Sequence, residues 1–380
     1  MIALSHGVID AYAAFLHPLL PRIMEKLGLS ITLAAALSMS LFIAVSVLQP
    51  PLGYLADRYG RRPYAVAGPL LAGVFFSLIG VAPTFWVLML FLVLGGLGAS
   101  TFHPPAASIA ARVGEGRGSG LRFSIFSFGG AVGFALGPLI AVGMVAALGF
   151  EGLWVAMVPG VLMGVVLWRV LPDDRDRTGI PPPPHPMRVL AALKGPLGLL
   201  FGISAAGAFV QRVFLTLTPI IGAEAGRTEA TGAAVLSMYL GAQAIGTLVG
   251  GTLADRMNRQ TILVIATAVG VPLHILAVTA APGSALSITA AVAAGFLNMM
   301  MLPPIVVMAQ EIMPGGTAVS SAIVMGLAWV PGSVGVLGAG ALADQMGPVA
   351  AAAWSMPILL VGTLLALHPA LKAYSRAPSA

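Results

Sequence analysis

Cysteine is absent from the 380 residues, and charge is scarce: Asp, Glu, Lys and Arg make up 8% of the chain. The first absence excludes disulfides, thiol nucleophiles and cysteine-held metals. The second excludes the solvated surface of an ordinary globular domain. The six histidines are scattered, at 6, 17, 103, 185, 274 and 368, so no metal-ligand cluster is expected. No nucleophile triad or phosphate-cradling loop is visible, because the glycine-rich runs lie inside apolar stretches. An enzyme is therefore not expected, nor any bound cofactor.

What is present is hydrophobicity. Apolar residues reach 58% and the mean hydropathy is +0.97. Crossing a bilayer takes roughly 20 apolar residues in a helix. Twelve such segments fall near 3–24, 31–56, 63–82, 85–111, 118–147, 152–171, 196–221, 230–254, 260–280, 284–312, 316–344 and 349–371. Barrel strands would alternate polar and apolar residues, and these runs do not. The expected fold class is an all-α membrane protein of twelve transmembrane helices, with the lipid bilayer as its partner and no soluble domain. Asp10 interrupts the first run, and no basic leader precedes it, so a cleavable signal peptide is not expected.

The net charge of +6 invites a nucleic-acid reading, but its distribution argues otherwise. Fifteen Lys and Arg lie on the face of the Asp57 connection, and three (Arg22, Lys26, Arg227) on the other. Arg212 is left inside a span. This is the positive-inside bias, and it puts both termini in the cytoplasm.

One polar stretch organises the rest. Gly53-Tyr54-Leu55-Ala56-Asp57-Arg58-Tyr59-Gly60-Arg61-Arg62 packs four charges into six residues, between two apolar runs. A second copy starts 198 residues on, as Gly251-Thr252-Leu253-Ala254-Asp255-Arg256-Met257-Asn258-Arg259-Gln260. Pro21 and Pro219 repeat at 198, and Pro104-Pro105 and Pro303-Pro304 at 199. A constant offset across several landmarks means duplication. It divides the chain into a six-helix bundle over 1–171, a cytoplasmic linker over 172–195 with Pro181–Pro184, and a second bundle over 196–380.

The pattern G-x-L-A-D-R-x-G-R-R resembles the signature between the second and third helices of the major facilitator superfamily. That resemblance implies two pseudo-symmetric six-helix bundles with the substrate site between them near mid-membrane. Gly133-x-x-x-Gly137-Pro138 resembles the fifth-helix motif of drug/proton antiporters, without the glycine pair that follows there. His6 with Asp10, Leu48-Gln49-Pro50, Phe102-His103-Pro104, Ser124-Ile125-Phe126 with Gly129-Gly130, and Leu136-Gly137-Pro138 together resemble the fosmidomycin-resistance-protein family. Ala309-Gln310-Glu311 with Pro314-Gly315, the glycines 326, 332 and 335, and Ala343-Asp344 extend the likeness into the second half. The resemblance implies a monomeric bacterial inner-membrane exporter of drug-like substrates, driven by protons as the coupling ion, and hence antibiotic resistance.

The candidate residues follow. His6, Asp10 and His17, at steps of four and seven, share one face of the first span if its helix is unbroken. Charge inside a membrane is costly, so that face lines water or meets partner helices. Asp10, His6 and His103 are the proton-coupling candidates. Arg212, buried beside Gln211, needs a carboxylate or an anionic ligand, and Asp10 is the acid offered to it. The substrate contacts expected are Arg212, Gln211, His17, Phe102, Tyr239, Gln243, Asn298 and Met301. Plain helix packing competes for Tyr239, Gln243 and the Met299–Met301 run, as it does for Trp329. His274 reads as a core histidine. Asp57, Arg58, Arg61, Arg62 and Arg112, with Asp255, Arg256, Arg259 and Glu311, read as conformational latches, Glu311 reaching Arg256 or Arg259.

The expected function is a proton-coupled secondary transporter that exports a drug-like or anionic small molecule by alternating access. The alternatives are a proton-coupled uptake symporter for an organic anion or sugar, and a transporter-like sensor or assembly factor without flux.

Overall fold

A chain this apolar has to satisfy its backbone from within, because lipid offers the peptide groups no water. The computed structural model is helical accordingly, with no strand among the described residues. It describes residues 1–112, 119–172, 191–313 and 317–375, with 111, 112, 119–124, 317 and 318 described by their backbone alone. In chain order the α-helices of the first part are α1 (Ile2–Ala13), α2 (Leu16–Leu27), α3 (Ile31–Val47), α4 (Gln49–Tyr59), α5 (Arg61–Ser77), α6 (Phe85–Arg112), α7 (Ser119–Leu148) and α8 (Met157–Val170). They continue as α9 (Pro196–Glu224), α10 (Glu229–Ala254), α11 (Arg259–Thr279), α12 (Ala285–Met300), α13 (Leu302–Ile312), α14 (Thr317–Ala322), α15 (Trp329–Met346), α16 (Pro348–Ser355) and α17 (Ile358–Ala366).

Among the described residues, eleven helical segments are long and apolar enough to cross a membrane. The expected first span is two helices instead. Pro18 has no N–H for the carbonyl of Ala14, four residues back, and the chain turns through Ala14 and Phe15. α1 and α2 have 12 residues each, short of a bilayer singly. Proline also opens α4 and α13, each after a one-residue break in a longer segment. Pro104 and Pro105, by contrast, lie inside an uninterrupted α6.

Polar caps mark where helices meet water. Thr228, Asn258 and Ser284 accept from backbone N–H groups in the first turns of α10, α11 and α12. On the flanks, Trp86 and Trp354 are 72% and 75% exposed, a surface suited to lipid rather than water.

The chain forms two compact units, Met1–Leu29 with Ala36–Pro183, and Ser30–Ala35 with Pro184–Ala380. In the first, α5 packs on α6 and α8, while α1 lies along α7. The α1–α7 crossing is nearly backbone on backbone. A Cβ on Gly129 would sit 2.3 Å from the Ala3 carbonyl oxygen, on Gly133 1.9 Å from that of Gly7, and on Gly137 2.4 Å from that of Ala11. Small residues every fourth position permit this approach.

In the second unit α9 packs on α15 and α17, and α12 on α10 and α11. A core of Leu200, Ile203, Ile262, Met301, Ile305 and Met308 joins α9, α11 and α13. Residues Ser30–Ala35 belong here because Asp344 of α15 caps their helix, accepting from the N–H of Ile31 at 2.8 Å and of Thr32 at 3.0 Å.

Candidate functional site

α1 places His6 and Asp10 one turn apart on one face, and α6 brings His103 to them. His6 Nε2 lies 3.2 Å from Asp10 Oδ2, and His103 Nε2 lies 3.0 Å from Asp10 Oδ1. The three ligand-type atoms lie within 4.8 Å of one another, although the histidines are 97 positions apart. The expectation of scattered histidines therefore fails for these two. Spacing along a chain says nothing of helices that meet by packing.

The surroundings fix His6. Its ring stacks on Phe126 at 4.2 Å, and its Nδ1 is 2.8 Å from the Phe126 carbonyl oxygen. That oxygen only accepts, so Nδ1 carries a proton. Nε2 then bonds to Asp10 only if it too is protonated. Without that proton, two lone pairs face each other. Gly130 closes the far side. A Cβ there would lie 2.4 Å from His6 Cε1, 2.5 Å from its Nε2 and 2.7 Å from Asp10 Oδ2. His103 Nδ1 is buried without a hydrogen-bond partner. Asp10 is 20% exposed, so the cluster is shielded but not sealed.

Of two further expected residues, one lies elsewhere and one beside the cluster. His17 follows the break between α1 and α2, so its seven-residue step from Asp10 does not run along one helix. Its ring stacks on Phe42 of α3 at 5.2 Å. Phe102 is fully buried, its Cβ set against Gly68 in the α5–α6 interface and its ring 6.1 Å from that of His6 and 6.0 Å from that of His103.

In the second unit, amides form a ladder. Gln211 Nε2 donates to Gln243 Oε1 at 2.7 Å, Gln243 Nε2 to Asn298 Oδ1 at 3.2 Å, and Asn298 Nδ2 to the Gly207 carbonyl at 3.1 Å. Arg212 donates to Gln211 Oε1 at 3.1 Å, and its guanidinium lies over Trp329 at 5.6 Å. A small cavity touches Gln211, Asn298, Met301 and Trp329. Met301 folds over Gly207, where a Cβ would meet its Cε at 1.7 Å. Tyr239 stands beside this ladder, its hydroxyl hydrogen-bonded to the Gln243 side chain. Its hydroxyl pairs with His274 Nε2 at 3.2 Å, and His274 Nδ1 donates to the Gly270 carbonyl at 2.7 Å. Both are buried and hydrogen-bonded, and His274 is the core histidine expected.

The polar loops hold their charges locally. Asp57 accepts from Arg61 Nε at 2.8 Å, and Arg62 donates to the Trp168 carbonyl while lying over its ring at 4.5 Å. Arg58 lies over Tyr59 at 5.4 Å. Arg259 Nη1 meets Glu311 Oε1 at 2.7 Å, and its Nε donates to the Ala254 carbonyl at 3.2 Å. Asp255 and Arg256 are exposed at the end of α10. The Arg112 side chain lies outside the described residues, as does most of the linker.

Sequence reasoning passed over three contributors: the Phe126 carbonyl, the missing side chain at Gly130, and the cap by Asp344. Gly129-Gly130 and Asp344 were visible as motif positions, but the backbone carbonyl left no signal.

The fold agrees with comparisons to known proteins. The family model of the Major Facilitator Superfamily matches residues 2–320. An uncharacterized MFS-type transporter, YfnC, of Bacillus subtilis (strain 168) is 27% identical over 97% of this chain and 92% of its own. The fosmidomycin resistance protein of Escherichia coli (strain K12) is 28% identical over 90% of this chain and 86% of its own. Among solved structures, a bacterial homologue of the human lysosomal transporter Spinster, inward-facing and occupied, superposes with a TM-score of 0.83 at 15% identity, over 99% of this chain and 96% of that one. A D-xylose–proton symporter does so with a TM-score of 0.75 at 15% identity, over 96% and 95%. These likenesses, with the apolar helices, make the chain a multi-pass membrane transporter of the Major Facilitator Superfamily.

Proposed function

We propose that the chain is a proton-coupled secondary transporter of the bacterial inner membrane that exports a small drug-like or anionic molecule by alternating access. One observation carries the coupling. A shielded carboxylate, Asp10, is shared by two imidazoles, and one of these, His6, can bond to it only through a proton on Nε2. A proton held at such a place is bound and released against a change in the charge of the helix interior, which is what coupling to transport needs. α1 and α2 act together as the remaining span of a twelve-span fold with both termini cytoplasmic.

The amide ladder beside Arg212 supports polar contact with substrate in the second unit, and the guanidinium suits an anionic group. Likeness to the fosmidomycin resistance protein supports export of a drug-like molecule. The loop clusters Asp57–Arg61 and Arg259–Glu311 act as latches on conformation rather than on substrate.

The test is flux in proteoliposomes with an imposed pH gradient. Asp10→Asn is expected to abolish gradient-driven transport while the protein stays folded. Unchanged gradient-driven flux in that variant would remove Asp10 from the mechanism. Reversal of the gradient requirement in oriented vesicles would replace export by uptake.

A further inference from the structure

We infer that His6, Asp10 and His103 form a binding site for one zinc-class divalent cation, a property separate from proton-driven flux. The donor set is two imidazole nitrogens and one carboxylate, drawn from α1 and α6. First-row transition ions favour that mixture, whereas magnesium and calcium favour oxygen alone.

Geometry supports the assignment. Ligand atoms around tetrahedral zinc, at bonds of about 2.0–2.1 Å, stand roughly 3.3 Å apart. The nitrogen–oxygen separations here are 3.2 Å from His6 to Oδ2 and 3.0 Å from His103 to Oδ1 of the same carboxylate, so a single ligating oxygen meets one imidazole at this spacing and the other after a small rotation. The widest spacing in the cluster is within 4.8 Å, so binding draws the imidazoles inward by a small side-chain rotation.

Three further features point to a ligand at this place. His6 donates its Nδ1–H to the Phe126 carbonyl, the outer hydrogen bond that commonly orients a metal-bound imidazole and aims its Nε2 lone pair at the ion. Gly130 has no side chain to crowd the His6–Asp10 edge, from which a Cβ would stand only 2.4–2.7 Å. His103 has a buried Nδ1 without a hydrogen-bond partner, so its ring can turn without breaking a second bond. Three protein ligands leave a coordination position for water or for a ligand atom of a transported molecule. Among the described residues, no lysine or arginine is seen paired with the cluster to repel a cation.

The experiment uses the full chain purified in detergent, with no gradient, titrated with Zn2+ and separately with Co2+. The expected result is one equivalent bound, with a rise in melting temperature that saturates and is unaffected by excess Mg2+. Co2+ bound at this site gives the visible absorption of a low-coordinate nitrogen–oxygen complex. His103→Gln and Asp10→Asn, each checked for folding by circular dichroism, weaken binding at least tenfold. Absence of saturable Zn2+ binding by the unaltered protein overturns the inference. Binding unchanged in His103→Gln also overturns it, since the ion then sits on other histidines. Because no flux is measured, failure here leaves proton coupling standing, and failure of coupling leaves the cation site standing.

Discussion

The Nδ1–H of His6 donates to the carbonyl oxygen of Phe126 at 2.8 Å, and this bond commits the ring before Asp10 is considered. A neutral His6 has its one proton there and presents a lone pair to the carboxylate. A charged His6 presents a second N–H. His6→Gln keeps a donor of similar reach but cannot hold an exchangeable proton. Gradient-driven flux in this variant is expected to fall at least tenfold, while its melting temperature stays within a few degrees. Flux that retains its pH profile in His6→Gln would place the coupling proton elsewhere.

Glycine substitutions separate site from scaffold. Gly133→Ala forces a methyl against a backbone oxygen that cannot yield, at 1.9 Å. Gly130→Ala meets side-chain atoms of His6 and Asp10, which can turn away. The first is expected to destabilise by more than the roughly 1–3 kcal/mol typical of overpacking. The second is expected to fold and to lose proton-driven flux. Gly143→Ala, with nothing within 4 Å, is expected to be neutral in both. Thermal unfolding in detergent, paired with flux, checks the three together.

Much of this was legible in the sequence, and the exceptions have physical causes. The apolar runs and the duplicated loop follow from the sequence alone, the choice of His6 and Asp10 from the cost of charge in lipid, and that of His103 from the Phe102-His103-Pro104 motif. Their meeting does not, since Asp10 and His103 are 93 residues apart and are joined only by helix packing. His17 does not share the Asp10 face, because a helical period does not run across Ala14 and Phe15, where the helix breaks ahead of Pro18. Arg259 with Glu311 was readable, because a charged loop beside an acid at a helix end leaves few other pairings.

The amide ladder is expected to behave as one unit. Gln243→Leu strands the Gln211 amide and the Asn298 carbonyl together, each at a cost of about 1–3 kcal/mol when buried. The double variant Gln211→Leu, Gln243→Leu should cost less than the two single changes summed. A double-mutant cycle on thermal stability measures the difference, and strict additivity would refute the coupling.

Arg259 is 2% exposed, and Glu311 is its ion-pair partner among the described residues, itself 43% exposed. Glu311→Gln removes the counter-charge and leaves the buried guanidinium with neutral acceptors, the new amide oxygen and the Ala254 and Tyr374 carbonyls. With Glu311 itself partly exposed, the expected loss is about 1 kcal/mol. High salt should mimic part of it, because the exposed end of the pair is screened. Asn258→Ala, which removes the N-cap of α11 beside it, is expected to cost about 1 kcal/mol.

The glycines along α7 bear on how the His6–Asp10–His103 cluster is held. Carbonyls of α1 sit directly on Gly129, Gly133 and Gly137, so the two helices meet through their backbones as well as through the His6–Phe126 stack. His6, Asp10 and the Phe126 carbonyl all belong to this pair of helices, whereas His103 stands on α6. A shift of α6 against the pair would therefore alter the His103–Asp10 separation and leave the His6–Phe126 bond as it is.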